Sequence, residues 1–347
     1  MKFQIGNKSL GKGERCLISL EPGGTYNNVQ EALQMSKACS QANADAVKFQ
    51  TFLPGDAERM MEKKDITVDF QTPSGKKEEL VLDALKRREL SKDEWKQLVN
   101  HTKDLNLLFI TAPYFPETVD FLVELGVDAI KVSKGDINNV IFIEKIAKTG
   151  LPIILDGREK FYDVEKAIKI CEKNENKKIV IMHCPSGYPA ENAGVNLRAI
   201  PAIQQKYDYP VGFADHSPGD VMNYAAVAMG VNMLEKTITT DKKIEHVEHF
   251  MSLELDELSN FVKNVRNIED AMGDASVLMT SRVSEDARRC FVAKNLIKKG
   301  ELIKPQVLDF KRPGNIGISV SSGFEVLNKK AKVDISEGTV LQWDMLE

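Results

Sequence analysis

The chain has 347 residues, more than one ordinary compact domain needs, and its 42% hydrophobic content is ample for a large core. A formal net charge of −4 without any long run of Lys and Arg excludes a nucleic-acid surface as the main function. No stretch approaches the length of a membrane span, and the opening MKFQIGNKSLGKGER has no apolar centre of the kind a secretory leader carries, so a cytoplasmic protein without a membrane partner is expected. Cys16, Cys39, Cys171, Cys184 and Cys290 show no metal-binding spacing and read as reduced thiols.

Short Val- and Ile-rich runs alternate with amphipathic helical patterns along most of the chain. In order, the runs are CLISLE from Cys16, DAVKFQ from Asp45, LLFITA from Leu107, DAIKV from Asp128, LPIILD from Leu151, KIVIMHC from Lys178, PVGFA from Pro210 and VNMLEK from Val231. Each has the continuous apolar character of a strand buried on both faces. Between them, Ser91 and Glu94 form a capping-box pair ahead of Trp95 and Leu98. PETVDFLVELG ends at Gly126, a plausible C′ residue. Val164, Ala167, Ile168 and Cys171 share one stripe.

Eight such alternations predict an α/β chain built as a (β/α)8 TIM barrel over residues 1–274. The alternative, a nine-strand open sheet, lacks a glycine fingerprint after its first strand. Residues 51–90 form an unusually long second connection with Pro54 and Pro73, the length of a lid or binding flap. Periodicity fades after Gly273, so residues 275–288 read as a linker. Residues 289–347 then read as a small β-rich domain of short strands and turns.

A barrel carries its chemistry at the C-terminal ends of its strands. Those ends hold Glu21, Lys48 with Gln50, Lys131 with Asp136, Asp156, His183 with Tyr188, Asp215 with His216, and Glu235 with Lys236. Polar groups at the ends of apolar strands are costly to bury unless paired or used. Their recurrence around the chain marks a site without naming its reaction. His183 reads equally well as a satisfied core histidine, and Lys48 and Lys131 could be barrel-mouth lysines paired with Glu21 or Glu235.

The ordered motifs carry a resemblance. IGNKSLGKGERCLISLEPG, NADAVKFQTF, ELSKDEWKQLVNHTK, AIKVSKGDINN, HCPSGYPA, GFADHSPGD and LEKTITTD resemble the successive motifs of the sialic acid synthase family. That family includes spore-coat polysaccharide synthases and the makers of related nine-carbon acids. RRCFVAKNLIKKGELI through FKRPGNIGIS resembles the antifreeze-like (SAF, β-clip) module that ends these enzymes.

The resemblance implies a transferase of carbohydrate biosynthesis. It would condense phosphoenolpyruvate with an N-acylated hexose similar to N-acetylmannosamine, giving a nonulosonic acid and phosphate, with a divalent metal (Mn2+ or Mg2+) polarising the aldehyde. On this resemblance Lys48 and Lys131 bind phosphoenolpyruvate, and Gln50, Lys134, Ser186 and Tyr188 line the substrate pocket. Glu21, Asp136 and Glu235 are the acid/base residues, and His216 is a metal ligand, with His249 a candidate for the second. Arg312 resembles the arginine that reaches a neighbouring subunit's sugar, which implies a domain-swapped homodimer.

Several positions depart from the family pattern. Thr237 stands where the second metal histidine belongs, and Thr25-Tyr26 stand where Asn-His follows the first strand. Ala112, Lys134, Asp156 and Ala214 replace small hydroxyl residues expected near the phosphate, and Glu248 precedes His249 where an Asp is expected. Glu248 and His249 are the candidates to supply the missing ligand. The departures leave open a sugar-binding or regulatory barrel that has lost the condensation, and an aldolase or other lyase that works without the metal step.

Overall fold

The computed structural model describes residues 1–157, 160–273, 276, 288–314 and 316–347. These divide into two compact units, Met1–Met272 and Gly273–Glu347. Apart from Ser276 and Arg288, the expected linker 275–288 lies outside the described residues.

The first unit is a closed barrel of eight parallel strands: Leu17–Glu21, Ala46–Gln50, Leu108–Ala112, Ala129–Val132, Ile153–Asp156, Ile179–His183, Val211–Asp215 and Met233–Thr239. Neighbours in the chain are neighbours in the sheet. The eighth strand pairs with both the seventh and the first, with Thr237 beside Glu21, and so closes the circle. The open-sheet alternative is thereby excluded. All eight Val- and Ile-rich runs fall on barrel strands, and each strand is followed by a helix on the outside.

Local chemistry sets the helix limits. Ser91 and Glu94 complete the capping box of Lys92–Asp104. Pro116 opens Pro116–Leu125, and Gly126 ends it at φ +67°. Trp95, Leu98 and Val99 then pack inward against the strands.

An N-terminal hairpin, Lys2–Ile5 with Lys8–Gly11, closes the barrel floor. Its Ile5 and Leu10 are fully buried among Leu17, Ala46, Leu108 and Met233, at the opposite end from the polar strand ends. Filling the floor with aliphatic side chains keeps the mouth as the one polar end of the lumen. Leu10→Ala should therefore lower unfolding stability by about 2–5 kcal/mol, the usual cost of a leucine-sized cavity. A denaturant midpoint unchanged from the parent would contradict that role.

The second connection, read from sequence as a long loop, has structure of its own. It carries helix Asp56–Met60, hairpin Thr67–Thr72 with Gly75–Leu80, and helix Val81–Lys86. The hairpin is fastened to later loops. Gln71 N–H donates to the Tyr188 carbonyl at 3.2 Å, and Glu79 accepts from Val247 N–H at 2.7 Å.

The second unit contains one antiparallel ladder, Cys290–Ala293 with Leu308–Lys311. Among the described residues the remaining strand-like segments pair as single bridges, such as Ile297 with Ile335 and Ala331 with Leu346. Phe291, Ile303, Ile318 and Leu341 give this unit a core of its own. No helix among the described residues is long and apolar enough to cross a membrane.

Candidate active site

A strand alternates its side chains between two faces, so every second residue of a barrel strand enters the lumen. At the mouth this parity sends Glu21, Lys48, Gln50, Lys131, Asp156 and Glu235 inward. Together with Arg88, Tyr114, Ser133, Lys134, Gly135, Tyr188, His216 and Glu248 they line a cavity of about 230 Å³. All eight strands or the loops directly after them contribute.

The deepest part is a chain of buried charges. Lys48 Nζ donates to Glu21 Oε1 and lies 3.8 Å from Glu235 Oε1. Lys131 Nζ donates to the same Glu235 oxygen at 2.5 Å. Glu21, Lys48, Lys131 and Glu235 are each no more than 3% exposed. The two glutamates are driven apart. Burial alone would raise Glu21, but Lys48 and Lys131 outweigh it and hold that carboxyl well below the ordinary range. For Glu235 burial dominates. With the neighbouring charge of Glu21 it outweighs Lys131 and Lys48, and the pKa rises. Burial opposes the charge on both lysines, yet Glu21 keeps Lys48 protonated and Glu235 keeps Lys131 protonated. Glu235 Oε2 is buried and has no hydrogen-bond partner among the described residues, in the wall of a cavity where a ligand group could meet it.

A second constellation lies above the first. Gln50 Nε2 donates to Glu21 Oε1 at 3.1 Å, and Gln50 Oε1 accepts from Tyr114 OH at 3.0 Å and Arg88 Nη1 at 2.8 Å. Arg88 Nη2 reaches Glu248 Oε1 at 3.0 Å. Across the mouth, the rings of Tyr188 and His216 stack at 5.2 Å.

Other expected site residues stand elsewhere. His183 has the opposite parity: it pairs with Phe213, and its Nε2 lies 2.7 Å from the Val195 carbonyl in the helical layer. Burial lowers its pKa. Asp215 and Lys236 also face outward, in a fully buried ion pair of 2.8 Å that Asn223 and Ser217 complete. These three strand-end residues are therefore structural. Asp136, in a short helical turn, accepts from Asn139 Nδ2 at 2.9 Å outside the cavity, and burial raises its pKa. Ser186 is exposed and does not line the cavity. Arg312 is exposed in the second unit.

Arg88, Tyr114, Ser133 and Gly135 are the lining residues that sequence reasoning missed. Arg88 sits in the run KRRE, which looks like a solvated helix face. The signal that could have found it is its place just before the capping box, where the chain returns to the mouth.

The metal expectation meets an unsuitable donor set. Among the described residues no group of three or more His, Cys, Asp or Glu side chains could hold an ion. His216 lines the cavity, but Thr237 brings only a hydroxyl, buried and without a hydrogen-bond partner among the described residues. His249 lies outside the cavity lining, its Nδ1 2.7 Å from Thr239 Oγ1. Burial, with His246 and Arg87 nearby, pushes its pKa down to about 4. The residues present do not fit a resident transition-metal ion.

A sequence model of the NeuB family matches residues 35–277, and one of the SAF domain matches residues 288–347. An uncharacterized protein of Methanocaldococcus jannaschii is 34% identical over 99% of this chain and 98% of its own length. The N,N'-diacetyllegionaminic acid synthase of Campylobacter jejuni is 33% identical over 95% of this chain and 99% of its own length. The crystal structure of an N-acetylneuraminic acid synthetase from Leptospira borgpetersenii, in complex with citrate, superposes with a TM-score of 0.72 at 27% identity. It covers 83% of this chain and 95% of that one.

Proposed function

Because the chain belongs to the NeuB family and ends in a SAF domain, we propose that it is a cytoplasmic synthase of nonulosonic acids. In this reading it joins phosphoenolpyruvate to the open-chain aldehyde of an N-acylated hexose and releases phosphate. One observation carries the reading: Lys48 and Lys131 converge with two glutamates of opposite protonation tendency in a single buried cavity.

Lys48 and Lys131 take up the carboxylate and phosphate of the enol donor. C3 of that donor attacks the aldehyde carbon, forming the new C–C bond. The aldehyde oxygen takes its proton from Glu235, whose raised pKa suits a donor and whose Oε2 lies ready in the cavity wall. Water adds to the cationic C2 and loses a proton to Glu21, the carboxylate held ionised. The C2–O bond to the phosphate then breaks, the C2 hydroxyl passes its proton to the departing phosphate, and C2 is left as the ketone. One proton has passed from Glu235 to Glu21, and Lys48, which lies against both, links them for its return. The unsuitable metal donor set leaves polarisation of the carbonyl to this proton. Exhaustive treatment with a chelator should accordingly leave the rate within about twofold of the parent, with no stoichiometric manganese retained in elemental analysis. A rate restored only by added manganese would contradict it. A homodimer in which Arg312 of one copy completes the neighbour's cavity belongs to the same proposal.

The test is phosphate release from phosphoenolpyruvate in the presence of N-acyl hexosamines. Release that depends on the sugar supports a synthase. A second reading, a sugar-binding barrel that has lost the condensation, draws on Asp156, a buried carboxylate lining the cavity that would repel a phosphate. Sugar binding with no phosphate release from any sugar would favour it.

A further inference from the structure

One wall of the cavity is built around two residues with no part in the proton transfers above. Arg88 and Glu248 are each 7% exposed, and both line the cavity. Their ion pair of 3.0 Å is one of several contacts that fix them. Gln50 Oε1 accepts from Arg88 Nη1 at 2.8 Å, and Gly24 N–H donates to Glu248 Oε2 at 2.7 Å.

The backbone has been shaped to admit them. A Cβ on Gly24 would stand 2.5 Å from Arg88 Nη2, and one on Gly23 would stand 2.5 Å from Glu248 Oε2. Glu248 itself is held at φ +77°, in the left-handed region that a glutamate rarely adopts. Two glycines, an unfavourable backbone conformation and a desolvated ion pair are a costly way to line a wall. Packing alone would be served as well by apolar residues, since a buried ion pair is seldom more stable than its apolar replacement.

The pair offers a ligand a fixed donor beside a fixed acceptor, with no net charge between them. An anion would meet the carboxylate, and an ammonium would meet the guanidinium. A neutral amide satisfies both: its carbonyl accepts from Arg88 while its N–H donates to Glu248. We infer that Arg88 and Glu248 form a specificity-determining subsite that reads an acylamino group of the sugar acceptor. This deepens the reading above, since it needs a sugar in the cavity, but it does not need the condensation to occur.

The experiment is direct binding by calorimetry, without phosphoenolpyruvate. The probes are three pairs: N-acetylmannosamine with mannose, N-acetylglucosamine with glucose, and N-acetylgalactosamine with galactose. The parent should prefer the N-acetyl member of at least one pair by roughly 10- to 100-fold, the range of a hydrogen bond to a charged group. Arg88→Met should abolish that preference, leaving the parent hexose bound as before. Gly24→Ala should do the same without altering Arg88, because its Cβ would displace the guanidinium. Circular dichroism and the melting temperature of each variant identify loss of fold, and Arg88→Lys, a charge without the fork, keeps the question open to measurement if Arg88→Met unfolds. It should recover only part of the preference. Equal binding of both members of every pair by the parent, or a preference that survives both Arg88→Met and Gly24→Ala, would overturn the inference. Selective binding without phosphate release would overturn the proposed condensation and leave this subsite standing.

Discussion

Glu235→Gln should reduce turnover by about 10²- to 10⁴-fold, the range over which a positioned acid contributes, with little change in the KM for phosphoenolpyruvate. The substitution keeps the shape and the acceptor facing Lys131 but cannot deliver a proton. Its signature is in the pH profile. In the parent, Glu21 must be ionised and Glu235 protonated, so kcat/KM rises at acid pH below the ordinary carboxylate range and falls where Glu235 loses its proton, above that range. The variant should retain the acid limb and lose the alkaline one. Stability should follow the same group. A carboxyl whose folded pKa is raised holds its proton more tightly when folded. Its stabilisation is fully present below the unfolded value and is lost as pH rises through the folded one. Over that window the parent's melting temperature should fall relative to that of Glu235→Gln. An alkaline limb that persists in the variant would remove Glu235 from the role of acid.

The strands were legible because each is a continuous Val- and Ile-rich run, and the barrel followed from their number and their alternation with helices. Parity was the harder step. Asp215 and Lys236 sit at strand ends as plainly as Ala214 and Glu235 do, yet the register pairs Ala214 with Glu235 in the lumen and Asp215 with Lys236 outside it. A shift of one residue exchanges the two sets, and a run buried on both faces has no polar alternation to mark which is which. His183, which reads from sequence equally well as a site residue or a core histidine, stayed undecided for the same reason, and the structure gives it the core role. The second connection was legible as an insertion but not as a folded one, because its hairpin is charged on most of its surface and is held by contacts with residues 188 and 245–247, far away in the chain. Arg88 and Glu248 lie 160 residues apart and meet only once that insertion and the eighth loop are in place. The glycines that make room for them, Gly23 and Gly24, look in sequence like an ordinary turn.

Lys131→Met should have the second large effect, and on two measurements at once. The cavity lining carries four cations, Lys48, Arg88, Lys131 and Lys134, against four carboxylates, Glu21, Asp156, Glu235 and Glu248. A multiply charged phosphate ester can enter such a balanced site only if the cations remain and Glu235 takes up a proton. Removing Lys131 tips the balance toward negative charge and takes away the partner of a carboxyl that is 2% exposed. Stability should fall by about 3–5 kcal/mol, as when one member of a buried ion pair is deleted. Sugar-dependent phosphate release should fall below detection. The pairing of Lys131→Met with Glu235→Gln separates the two effects. With both charges gone, no buried carboxylate is left uncompensated, so most of the lost stability should return. Activity should not, because the donor's binding cation and the acid are both missing. A double variant as unstable as Lys131→Met would mean that Lys131 serves the fold through contacts other than Glu235. Phosphate release restored with the stability would mean that the lysine binds no substrate.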